Sequence, residues 1–160
     1  MAGFTLLEML VALVILAIGM ATAVIALRPD ESRQLATEAD RLALLLDQAR
    51  EESALGGMPL AWVAREDGYE FQRRELTAAG PDWIVVRGDD LFHPRDLPVG
   101  LHLRSIDMDG RPLEFGKRVP LGADGVRKLV VELSGGAARA RVASAGEGFE
   151  AIREPAQGAL

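Results

Sequence analysis

Glu8 has the most unusual chemical setting in this sequence, because its carboxylate lies within an apolar run. Residues 9–27 contain no charged side chain, and Glu8 is the single charge in residues 4–27. A carboxylate at the centre of a membrane costs roughly 2.5–3.5 kcal/mol on insertion scales, so it calls for a positive partner. Cleavage between Gly3 and Phe4 would supply one, since the new amine would lie one helical turn before Glu8.

The element that must carry Glu8 is a helix long enough to cross a bilayer. At about 1.5 Å per residue, residues 4–27 would span the roughly 30 Å of hydrocarbon. The sequence therefore predicts a transmembrane helix at 4–27 after a three-residue leader, 1–3. Two alternatives stay open: a secretory signal peptide cut at Ala21-Thr22-Ala23, and a plain single-span anchor with an interfacial Glu8.

The segment Gly3-Phe4-Thr5-Leu6-Leu7-Glu8 with its apolar run resembles the N-terminal signal of type IV pilins and type II secretion pseudopilins. The resemblance implies that a prepilin peptidase cuts after Gly3 and methylates the new N-terminal Phe4. It also implies that Glu8 registers the subunit against a neighbour's N-terminal amine in a helical filament. The leader departs from the family pattern, since no Lys or Arg precedes Gly3.

Sites for metals, cofactors or catalysis are not predicted. The chain has no cysteine, which excludes disulfides, thiol catalysis and cysteine-ligated zinc. His93 and His102 have no neighbouring ligand set, and Asp109-Gly110 is typical of a hairpin turn rather than a calcium loop. Three loop acids could line a cation site, although solvation explains them equally well: Asp89, Asp90 and Asp96. No nucleophile elbow or phosphate-binding loop is present, so we expect no enzyme activity.

A basic pair on one predicted strand raises the possibility of nucleic-acid binding. Arg139 and Arg141 are two residues apart and would share a face, where a phosphate backbone could contact them. Further cations could join them: Arg127, Lys128 and Arg153. Nearby acids are expected to neutralise the patch: Glu132, Glu147, Glu150 and Glu154. Nucleic-acid binding is therefore the less favoured prediction.

Charge is unevenly distributed along the chain. The formal net charge is −6. Residues 30–52 carry seven acids and three arginines, whereas the chain from residue 56 onward carries 16 acids and 14 bases. The net charge argues against a general nucleic-acid binder. The head is nearly neutral, and the acidity belongs to the segment after the apolar run.

Hydrophobic periodicity predicts a second helical stretch and then strands. From Ser32 to Leu55, one helical face carries a stripe made of Leu35, Ala39, Leu42, Leu46, Ala49 and Ser53. Charged residues including Glu38, Asp40 and Asp47 are expected mostly off that face, and the stripe is expected to pack on the protein's own sheet. Gly56-Gly57 should end the helix.

Beyond Gly57 the pattern alternates, which predicts seven or eight short strands. The predicted strands are 60–64, 69–73, 83–87, 100–106, 113–115, 129–133, 138–143 and 149–152. The fold class is therefore α+β: a long N-terminal hydrophobic and amphipathic helix followed by an antiparallel β-sheet or β-sandwich head. The expected divisions are 1–3, 4–27, 28–57, 58–153 for the β-rich head and 154–160 for the tail.

The order of helix and β-rich head again resembles pilin-type subunits. The cysteine-free head and the stretch from Arg28 to Ala36 most resemble the H-type minor pseudopilins of type II secretion. That resemblance implies an inner-membrane, single-pass protein with a periplasmic head, assembled near the tip of a pseudopilus that drives exoprotein export. Its implied partners are the prepilin peptidase, the major and other minor pseudopilins, the inner-membrane assembly platform and, before assembly, lipid. The alternative from this stage is a DNA-binding minor pilin of a type IV pilus.

Overall fold

The structure is a computed structural model that describes residues 9–16, 31–122, 128–145 and 148–154. The chain divides into two compact units, residues 1–30 and residues 31–160. In the first unit, residues 9–16 form helix α1, whose large apolar side chains are 47–69% exposed. Among the described residues, no helix is both long and apolar enough to cross a membrane. The other residues of the predicted transmembrane helix 4–27, namely 4–8 and 17–27, lie outside the described residues.

The second unit begins with helix α2, Glu31–Leu55, where the sequence predicts a helix from Ser32 to Leu55. The whole predicted stripe is buried, from Leu35 through Leu42 and Leu46 to Ser53. The helix ends where Gly57 adopts a positive φ of 64°, a conformation that glycine adopts without strain.

The first sheet has the strand order β3-β2-β1-β7, with β4 pairing to β2. Its strands are β1 Leu60–Arg65, β2 Gly68–Thr77, β3 Gly80–Val85, β4 Arg95–Asp96 and β7 Arg118–Pro120. Strands β1 and β2, which contain the predicted strands 60–64 and 69–73, form a hairpin with Ala64 opposite Tyr69. All pairings in this sheet are antiparallel.

The second sheet has the order β10-β9-β8-β5-β6 and is also antiparallel. Its strands are β5 Leu101–Met108, β6 Arg111–Pro112, β8 Leu129–Gly135, β9 Ala138–Ala145 and β10 Gly148–Glu154. Asp109 and Gly110, both with positive φ, form the predicted turn between β5 and β6. A hairpin around Gly135-Gly136 joins β8 to β9.

The core lies between α2 and the inner faces of the two sheets. Helix α2 contacts β1 of the first sheet and β8, β9 and β10 of the second. Four aromatic rings, Trp62, Tyr69, Phe71 and Phe92, are at most 1% exposed and follow one another at centroid distances of 5.1–6.3 Å. The α+β prediction of a helix followed by antiparallel sheets is confirmed.

Several strand predictions are wrong. Residues 113–115 form no strand, because the chain turns there and the Lys117 amide donates to the Glu114 carbonyl. The strand predicted at 83–87 is β3, which begins three residues earlier at Gly80-Pro81; proline is tolerated because β3 is an edge strand. The sequence does not predict strands β4, β6 and β7, since two or three residues are too few to show alternation. Glu154, predicted in the tail, ends β10.

Candidate functional site

The predicted N-terminal site residues Gly3, Phe4 and Glu8 lie outside the described residues. Helix α1 occupies the eight residues directly after Glu8. Its large apolar side chains are exposed, from Val11 at 47% to Leu13 at 69%. Such a surface is unfavourable in water and is stabilised by lipid or by other apolar helices.

Polar contacts attach helix α2 to both sheets of the head. At the end of the helix, the Leu60 amide donates to the Ser53 hydroxyl at 3.1 Å. Midway along it, the Phe149 amide of edge strand β10 donates to Asp47 Oδ1 at 2.8 Å. Burial raises the pKa of the Asp47 carboxyl above its usual value, although the Phe149 amide and Arg50 act in the opposite direction. The helix and sheets therefore form one packed unit.

Glu38 of α2 is 8% exposed, although the sequence placed it mostly off the buried face. Arg41 Nη1 donates to its Oε1 at 2.6 Å, so the buried carboxylate has a charged partner one turn away. Burial, with the nearby Glu38 charge as the second cause, raises the pKa of Tyr69 to about 12. The buried face of α2 is thus wider than the apolar stripe.

The three loop acids considered for a cation site do not form one. Asp89 Oδ1 accepts the amides of Leu91 and Phe92, and Asp96 accepts from Arg65 at 2.9 Å. Asp90 contributes its main-chain carbonyl to Arg95. Within the described ranges, no group of three or more potential ligands could hold a metal ion. The hydrogen bonds of these three residues instead stabilise the loop before β4 and the edge of the first sheet where β4 pairs with β2.

The predicted basic pair lies on the outer face of the second sheet. Arg141 is directly opposite Glu132 on β8, and Arg139 is opposite Ser134. Arg141 Nη2 donates to Glu132 Oε1 at 3.2 Å, and the Ser105 hydroxyl donates to Glu132 Oε2 at 3.1 Å. The prediction that Glu132 neutralises part of the patch is therefore confirmed.

Other predicted members of the patch lie elsewhere. Arg153 of β10 forms an ion pair with Asp40 of α2, so it does not join Arg139 and Arg141. Arg127 and Glu147 are outside the described residues.

A third arginine, Arg104, was missed by the sequence analysis. It lies at a bulge in β5, where the register against β8 shifts between Leu103 and Ser105. Arg104, Arg139 and Arg141 line a cavity of about 360 Å³ whose lining also includes Ser105 and Glu132. The two consecutive polar residues, Arg104 and Ser105, interrupting the alternation of β5 are the sequence signal for this bulge.

Comparison with known proteins gives a consistent result at the N terminus and in the head. Residues 1–24 match the family model of the prokaryotic N-terminal methylation motif. Over 112 residues the chain is 31% identical to type II secretion system protein H of Pseudomonas aeruginosa, covering 69% of this chain and 61% of that protein. The chain therefore spans about three fifths of the length of this curated relative.

Two solved structures of the minor pseudopilin EpsH from the type II secretion system of Vibrio cholerae share the fold. One has a TM-score of 0.58 at 18% identity and covers 78% of this chain and 98% of that one. The other has a TM-score of 0.60 at 16% identity and covers 76% and 94%. Motif, sequence and fold agree: the chain carries a prokaryotic N-terminal methylation motif and resembles the H-type minor pseudopilins of type II secretion.

Proposed function

We propose that this protein is a minor pseudopilin, a structural subunit near the tip of a type II secretion pseudopilus that helps drive exoproteins across the outer membrane. The observation that carries the proposal is the combination in one chain of an N-terminal methylation motif with a head of the EpsH fold. The 31% identity to type II secretion system protein H over 112 residues supports the same proposal.

The proposed mechanism begins with a precursor held in the inner membrane by residues 4–27, with its head in the periplasm. Prepilin peptidase cuts after Gly3 and methylates Phe4. During assembly on the inner-membrane platform, the apolar helix exchanges lipid for the helices of the major and other minor pseudopilins. Glu8 then meets a neighbour's N-terminal amine. The exposed apolar side chains of α1 support this exchange, because both environments cover them.

The role needs no catalysis by the chain itself, which acts as a substrate of the peptidase. A DNA-binding minor pilin of a type IV pilus would share the N terminus. The described head gives that alternative little support, since Arg141, one of the two arginines that would contact phosphates, is paired with Glu132.

The test is the mass and N-terminal sequence of the full chain recovered from membranes of cells that contain a prepilin peptidase. We expect a product that begins at methylated Phe4. Gly3→Val should leave the precursor intact, because a branched side chain replaces the small residue at the cleavage point. An unmodified product starting near Ala23 would show a secretory signal peptide, and an intact wild-type Met1 would show a plain anchor; either result overturns the proposal.

A further inference from the structure

The cavity on the outer face of the second sheet is an unusual concentration of positive charge on an acidic protein. Three guanidinium groups and one carboxylate line its 360 Å³: Arg104, Arg139, Arg141 and Glu132. The chain as a whole carries a net charge of −6. An arrangement of this kind attracts an anion of the size of one or two side chains.

The bulge in β5 is what brings the third arginine to this cavity. Leu103 pairs with Leu133 and Ser105 pairs with Glu132, so Arg104 is an extra residue between two consecutive pairs. Leu103 and Ile106 both face the core, whereas Arg104 and Ser105 are both exposed. In a regular strand one of these two would point inward; the bulge directs both outward.

Hydrogen bonds within the cavity orient Glu132 and Arg141, and two other arginine side chains are available to contact a ligand. Both oxygens of Glu132 are occupied, one by Arg141 and the other by Ser105. The side chains of Arg104 and Arg139 form no hydrogen bond or ion pair with the described part of the chain. Both are exposed, so a ligand reaches them without disturbing the core.

The surroundings favour an isolated carboxylate over a nucleic-acid backbone. Asp107 of β5 and Glu150 of β10 lie on the same sheet, and Glu132 lies within the cavity. A duplex presents a continuous row of phosphates, several of which would meet these acids. A carboxylate side chain is a single planar acceptor and instead needs a local set of N–H donors, which guanidinium groups provide.

We propose that this cavity, lined by Arg104, Arg139 and Arg141, binds a carboxylate side chain from an acidic segment of a partner protein. Glu132 holds Arg141 in place and also competes with the incoming carboxylate for the positive charge of Arg141. The inference concerns the head surface and does not depend on N-terminal processing.

The test measures binding of fluorescein-labelled hexaglutamate to the full chain in nonionic detergent at low salt, by fluorescence anisotropy. Arg104→Ala and Arg139→Ala should each weaken binding about fivefold, the effect of losing one exposed charge pair. Glu132→Gln should strengthen binding, because it removes the competing charge. Arg87→Ala is the matched control: Arg87 is exposed on a loop away from the cavity, and binding should be unchanged.

Unchanged thermal unfolding midpoints would show that each variant is folded. The proposal is overturned if hexaglutamate binds no better than hexaglutamine, or if Arg87→Ala weakens binding as much as the cavity variants do. Tighter binding of a duplex DNA probe, lost in the same cavity variants, would assign the face to nucleic acid instead. If inorganic phosphate fully displaces the peptide when both are present at the same concentration, the cavity is a simple anion site. That result would also overturn the proposal.

Discussion

At the scale of single residues, the head contains polar groups buried for packing rather than for chemistry. Tyr69 is 1% exposed, and its hydroxyl has no hydrogen-bond partner among the described atoms. Its ring packs tilted against Trp62 and edge-on to Phe71. Tyr69 therefore contributes mainly its apolar ring, while burial and the nearby Glu38 charge disfavour its ionised form.

The ionisation of Tyr69 is directly measurable, because it is the single tyrosine of the chain. We expect its ultraviolet absorbance to titrate with a pKa of about 12 in the folded protein and of 10 in denaturant. Because the folded-state pKa is raised, the stability linked to this proton is complete below pH 10. It is lost as the pH rises through about 12.

Tyr69→Phe should remove that part of the alkaline destabilisation and change stability little at neutral pH, since the hydroxyl has no hydrogen bond to lose among the described residues. A folded-state titration near pH 10 would contradict the buried position of the ring.

At the scale of elements, helix α2 both fills the core and covers an edge of the second sheet. Strand β10 is an edge strand, and its Phe149 amide would point to solvent without Asp47. Gly148 allows this close approach, since a Cβ there would lie 3.3 Å from Asp47 Oδ1. The helix thereby occupies a donor that could otherwise pair with another strand.

Two substitutions of Asp47 separate its hydrogen bond from its charge. Asp47→Ala removes the acceptor of the Phe149 amide and should lower the free energy of unfolding by about 1 kcal/mol. Asp47→Asn keeps a carbonyl oxygen in place and removes the buried charge. Denaturant unfolding of the full chain in detergent, followed by tryptophan fluorescence, measures both effects.

The pH dependence of Asp47→Asn has a definite sign. Burial raises the folded-state pKa of Asp47 above 3.8, so the folded chain holds this proton to a higher pH than the unfolded chain does. Ionisation of Asp47 therefore costs stability as the pH rises from 3.8 through the raised pKa. The stability of Asp47→Asn relative to wild type should rise across that window. A lower stability of Asp47→Asn at neutral pH would refute this account.

At the scale of the whole molecule, the head and the α1 segment differ in how their apolar side chains are covered. The head buries its own apolar groups between α2 and two sheets. The α1 segment instead displays apolar side chains that need lipid or neighbouring helices. This division matches the proposed role, in which the N-terminal segment joins a filament and the head presents a surface to partners.

Glu8→Ala tests the assembly part of that role. The variant should still insert in the membrane, since removing a charge favours insertion. Its recovery with the major pseudopilin after cross-linking should fall at least about tenfold, because the neighbour's buried amine loses its partner. Leu7→Ala is a control of similar size change without a charge, and its recovery should stay near that of wild type. Normal recovery of Glu8→Ala would contradict the registration role of Glu8.

The sequence by itself determined those features whose physical cause is local. Helical periodicity from Leu35 to Ser53 specified the buried stripe of α2, and turn residues such as Asp109-Gly110 specified the hairpins. The N-terminal motif likewise occupies a continuous segment, residues 1–24.

The tertiary structure decided what depends on residues distant in the chain. Strand β7 exists because Val119 finds Trp62 of β1 as its cross-strand partner, which no local pattern specifies. Glu38 is buried because the sheet covers a wider face of α2 than the apolar stripe indicates. The cavity forms because a bulge at Arg104 and the register of three strands bring Arg104, Glu132 and Arg141 together. Register and bulges are set by pairing energies summed over whole strands. The local sequence pattern therefore does not predict the arginine cavity.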